Sequence, residues 1–154
     1  MMKFKIISFG IIVFLLCSGL VVYTQKINVD SLINITNTAP DDTNKVIAFR
    51  AVCGIMANTN PKQSVEFGWR GVALARKIKW DKGIAGCYLN LGNVYGILGK
   101  YDSAVLILDT ALIYSKRVGE DKRTALVYIN SASAFINLGK LDLAMQQALS
   151  AMPY

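Results

Sequence analysis

Three cysteines and ten carboxylates are the residues with reactive chemistry to offer in this chain of 154 residues, and their arrangement offers little of it. There is no histidine, which removes the commonest general base, the commonest metal ligand and every serine–histidine or cysteine–histidine nucleophile. Two glutamates and eight aspartates give scant material for paired-carboxylate catalysis. Cys53 and Cys87, without a histidine, do not complete a zinc site, and both fall in amphipathic helical patterns where a buried free thiol is the expectation. Gly92, Gly96 and Gly99 lie inside and at the end of a helical pattern, not between a strand and a helix, so they do not cradle a phosphate. No enzyme is expected, and no cofactor or metal.

Binding is the chemistry that remains, and the charge pattern narrows the partner. The formal balance is +7, or +5 once Lys3 and Lys5 of the first segment are set aside. The other basic residues stand singly, as at Lys62, Arg70, Lys100 and Lys140, instead of in the clustered stripe of a nucleic-acid surface. They read as solvated helix faces, and a nucleic-acid partner is not expected.

Residues 1–24 have the layout of a secretory signal. Lys3 and Lys5 precede an uncharged apolar run from Ile6 to Val22, and Val22-Tyr23-Thr24 before Gln25 forms a cleavage site. A run of this length also suits an uncleaved membrane anchor, the one expected contact with a membrane. Cys17 follows the bulky Leu16, which does not suit a lipid-modified cysteine. Residues 25–42 read as a leader with a short helix.

The elements that must position any binding surface are set by an internal repeat. Shifted by 40 residues, "YLNLGNVYGILGKYDSA" (88–104) falls on "YINSASAFINLGKLDLA" (128–144), and an earlier, more diverged copy precedes both. Tyr88, Leu91, Gly92 and Tyr95 follow the i, i+3, i+4, i+7 spacing of one helix face, from about Lys82 to Leu98. Gly99 supplies a left-handed stop. A second helix, about Tyr101 to Val118, buries Ala104, Leu108, Ala111 and Leu112. Gly92 against Ala104, and Ala132 against Ala144, are expected where paired helices cross. Asp81 and Asp121 are expected N-caps, and Asn60-Pro61 is a further helix start.

These residues resemble tetratricopeptide repeats, whose pattern is aromatic, leucine, glycine, aromatic in the first helix and small, aromatic, small in the second. Tyr88, Leu91, Gly92, Tyr95, Ala104 and Ala111 match it, with Leu108 in place of the second-helix aromatic. The third copy departs further, with Ser131 and Ala132 for the leucine–glycine pair and Ala148 for the aromatic. The resemblance implies an all-α superhelix of about three helix pairs over residues 43–154, with repeats at about 43–80, 81–120 and 121–154.

It further implies a scaffold that binds a protein or peptide segment, outside the cytoplasm if the leader acts. The first helices of such repeats line an inner groove. Here that groove would hold Phe49, Cys53 and Met56, then Leu89, Asn90 and Asn93, then Ile129, Asn130, Ser133 and Asn137. Members that clamp a terminal carboxylate carry basic residues where this chain has Phe49, Leu126 and Asn130, and only Asn93 matches them. The longer repeat, with "DKGIA" opening a first helix, also resembles the exported sensory regions of bacterial histidine kinases and related regulators. The alternative reading is therefore a truncated or detached sensor of such a membrane-bound system. An uncapped last helix, Leu141 to Met152, would expose apolar residues able to pair two chains.

Overall fold

The computed structural model describes residues 29–154, so the expected signal or anchor lies outside the described residues. From Pro61 onward one local device recurs, with helices starting at 61, 81, 101, 121 and 141. These are α3 (Pro61–Lys77), α4 (Asp81–Ile97), α5 (Tyr101–Arg117), α6 (Asp121–Asn137) and α7 (Leu141–Ala151), preceded by α1 (Val29–Thr38) and α2 (Thr43–Met56). Each three-residue turn from α3 to α7 contains one left-handed residue: Lys79 at φ 56°, then Gly99 at 71°, Gly119 at 67° and Gly139 at 70°. That conformation lets Lys100 N donate to Tyr95 O at 2.9 Å and Gly99 N to Gly96 O at 3.0 Å, satisfying carbonyls that α4 would leave open.

The residue that closes each of these turns is also the cap of the next helix. Asp81 and Asp121 therefore stand one position inside their helices, a correction to the expected caps, and Trp80 and Glu120 take the cap positions without a side-chain bond. True side-chain caps occur earlier. Asn60 accepts from Gln63 N at 3.2 Å with Pro61 following, and Asp42 accepts from Lys45 N at 3.0 Å.

Glycine–leucine contacts set the helix approaches. A Cβ on Gly92 would lie 2.5 Å from both Cγ and Cδ2 of Leu108, and one on Gly68 would lie 2.5 Å from Cδ2 of Leu91. Gly92 thus receives Leu108 across the α4–α5 crossing, and Ala104 lines a small inner hollow beside it. Leu91 and Leu108 are almost fully buried, each burial contributing about 1.5–3 kcal/mol. Cys53 and Cys87 are free and buried. Trp69 meets Tyr88 edge-on at 5.7 Å and joins the first helix pair to the second.

Every helix packs on its chain neighbour, and the first helices also touch one another, α2 on α4 and α4 on α6. The second helices α3, α5 and α7 make no such mutual contacts. Layers that meet on one side and part on the other curve the array, with α2, α4 and α6 on the inside.

Candidate peptide-binding groove

On α4, residues 86, 89, 90, 93 and 96 are spaced by three or four, and on α6 so are 126, 130, 133 and 137, placing each set on one helix face. The two faces line two hollows on the inner side. One, of about 510 Å3, is bounded by Arg50 of α2, by Gly86, Leu89 and Asn90, and by residues 120–123 and Leu126. The other, of about 210 Å3, gathers Asn93, Gly96, Asn130, Ser133 and Asn137 with the start of α5.

The expected groove residues divide accordingly. Asn93, Asn130, Ser133 and Asn137 come together in the smaller hollow, and Leu89 and Asn90 line the larger. Ile129 is exposed on the same helix but lines neither. Phe49 and Cys53 are corrected to the core, at 4% and 0% exposure. The cause is in α3, where small residues draw α2 down upon it. A Cβ on Gly71 would come 3.0 Å from Phe49 Cβ, one on Gly68 would come 3.0 Å from Cys53 Sγ, and Ser64 donates to Cys53 O at 2.5 Å. Met56 is half-buried against the same cluster.

The amides have different duties. Asn90 Nδ2 donates to Arg50 O at 2.8 Å, tying α4 to α2, and Asn137 Nδ2 donates to Ser133 O at 2.8 Å within α6. Among the described residues, no side chain or backbone group bonds the amides of Asn93 and Asn130. They are free to meet a ligand.

Charge collects at the other hollow. Arg123 donates to Lys82 O at 3.1 Å and pairs with Glu120, which Lys82 also holds at 2.7 Å. Burial lowers the pKa of Arg123, Glu120 opposes that shift, and the nearby charge of Arg50 adds to it. Burial pushes the Cys87 thiol up to about 12, so it supplies no thiolate nucleophile at neutral pH. No group of three or more acidic or cysteine side chains that could hold a metal occurs among the described residues. Sequence reasoning missed Arg50, Gly86 and Arg123. The signal for Arg50 was present, because the 40-residue shift places it on Asn90 and Asn130.

Comparison with known proteins agrees with the helical-repeat fold. Residues 85–113, within α4 and α5, match the tetratricopeptide-repeat family model. The array also superimposes on the crystal structure of the tetratricopeptide-repeat domain of Arabidopsis FLU. The TM-score is 0.68 at 22% identity, covering 74% of this chain and 96% of that one. No curated protein sequence matches the chain. The fold is that of a tetratricopeptide-repeat domain.

Proposed function

We propose that the protein is a non-enzymatic scaffold that takes an extended peptide or protein segment into the groove between α4 and α6, outside the cytoplasm. The observation that carries this reading is the pair of unpartnered amides, Asn93 and Asn130, set on neighbouring first helices in one hollow. An extended strand presents backbone donors and acceptors, and a side-chain amide answers both kinds. Leu89 and Leu126 add apolar contact farther along the groove. The location outside the cytoplasm rests on Lys3, Lys5 and the apolar run Ile6 to Val22.

The test begins with ligands selected from a random peptide display library on the full chain, measured by calorimetry. Asn93→Ala and Asn130→Ala should each weaken binding by about 0.5–1.5 kcal/mol. Stability should move by less than about 0.5 kcal/mol, as for most surface substitutions. Leu149→Asp, on the exposed face of α7, should leave binding unchanged. The reverse pattern would place binding on α7 and overturn the groove reading.

A further inference from the structure

A broad apolar stripe lies open on α7. Leu141, Met145, Ala148 and Met152 are spaced by four, three and four, the seam of a two-stranded helical contact, with Leu149 beside it. Leu141 is 67% exposed, Met145 62%, Leu149 59% and Met152 78%. Internal repetition says what such a stripe is built for. Shifts of 40 and 80 residues set Met152 on Leu112 and Val72, and Leu149 on Asp109 and Trp69. Val72 is buried, Leu112 packs on the core, and Trp69 meets Tyr88 of the following helix pair. These are stacking positions, where one pair receives the next. Among the described residues α7 packs only on α6, so its stacking face has no cover.

The chemistry of the stripe suits a second copy of itself. From Leu143 to Tyr154 there is no charged residue, so two such faces meet without like-charge repulsion and without needing a charged partner. The four large side chains present on the order of 500 Å2 at these exposures, and with Ala148 and Tyr154 they approach the roughly 600–1,000 Å2 per partner of a specific interface. The seam is also self-complementary when two α7 helices run antiparallel about a two-fold axis between Met145 and Ala148. Each Met145 then lies over Ala148 of the second copy, large on small, and each Leu141 over Met152. A parallel pair would set Asp142 beside Asp142 and align the two helix dipoles. A head-to-tail contact has no matching face, because α1 covers α2 at the other end and exposes no large apolar side chain.

We propose that two copies of this chain pair through α7, antiparallel about a two-fold axis, to form a dimer. α7 lines neither inner hollow, so the grooves of both copies stay open. A ligand carrying two binding segments would then gain by linkage, although the pairing itself does not depend on what the groove takes.

The test is analytical ultracentrifugation of the full chain from about 1 to about 100 µM, a range that brackets micromolar dissociation constants. Variants are run beside it and share its first segment, so a difference between them reports α7. The average mass should rise toward twice that of one chain across the range. Met145→Lys and Leu149→Asp should each weaken pairing at least about ten-fold. Helical circular dichroism should not change, because both positions are exposed. Ala148→Glu alone should also weaken pairing. Combined with Met145→Lys it should recover most of the loss, since each new lysine then faces a new glutamate across the axis. A monomer at the highest concentration, association indifferent to Met145→Lys and Leu149→Asp, or a series of larger assemblies would overturn the proposal. A double variant no better than its singles would overturn the antiparallel seam.

Discussion

Replacing Gly92 with alanine adds one methyl group at the crossing of α4 and α5, and its neighbours are known. The new Cβ would lie 2.5 Å from Cγ and Cδ2 of Leu108, a side chain 1% exposed with nowhere to withdraw. Overpacking of this kind costs about 1–3 kcal/mol. Alanine in place of a helical glycine returns about 0.8–1.0 kcal/mol, so the net change should run from near zero to about 2 kcal/mol of destabilisation. Gly96, one turn further along α4, supplies the control, because beyond its chain neighbours and its own helix backbone nothing described lies within 4 Å of its Cβ position. Gly96→Ala should therefore stabilise by up to about 1 kcal/mol. The difference between the two variants isolates the packing cost, at about 1–3 kcal/mol, read as urea midpoints by far-UV circular dichroism. Adding Leu108→Ala should cost less in the Gly92→Ala background than alone, where about 2–5 kcal/mol is expected. If Gly92→Ala rises in stability alongside Gly96→Ala, the glycine–leucine contact does not hold the pair together.

Lys79 occupies the left-handed position that Gly99, Gly119 and Gly139 fill in the later turns, so Lys79→Gly should raise stability by up to about 1 kcal/mol in the same assay. Burial raises the thiol of Cys87 from its ordinary 9.0 to about 12 and also raises that of Cys53. The unfolded chain therefore ionises these thiols first. Their contribution is fully present below about pH 9 and is lost as pH rises from there toward about 12. Urea midpoints should show this fall, and it should flatten in the Cys53→Ala, Cys87→Ala double variant. In native protein both thiols should react with a disulfide reagent only as fast as the chain unfolds, and immediate stoichiometric labelling would contradict their burial. Expressed in a bacterium with its own first segment, the chain should leave the cytoplasm and begin at or near Gln25. An intact mass retaining Met1 in the membrane fraction would establish the anchor instead.

The helical repeat was legible because a 40-residue shift brings aromatics, glycines and small residues into register, and because each left-handed glycine marks a helix end. Individual neighbours were less legible. Gly92 signals that something must come close without naming it, and the nearest atoms belong to Leu108, one turn beyond Ala104. The first copy misled at Phe49 and Cys53. Their spacing matches the groove positions of the later copies, but Gly68, Gly71 and Ser64 on α3 draw α2 inward and bury both. Asp81 and Asp121 looked like caps by residue type alone, and the overlap of turn and cap moved that role to Trp80 and Glu120. Arg50 escaped notice although the 40-residue shift sets it on Asn90 and Asn130, because the change from amide to guanidinium hid the shared groove position.

Groove binding is tested most directly by an amide shift map of the isotope-labelled full chain, titrated with a peptide selected from a random library. Perturbations should trace the inner faces of α4 and α6, strongest at the side-chain amides of Asn93 and Asn130 and extending toward Leu89 and Leu126. A map confined to α7, or to the outer faces of α3 and α5, with those two amides unmoved, would contradict it.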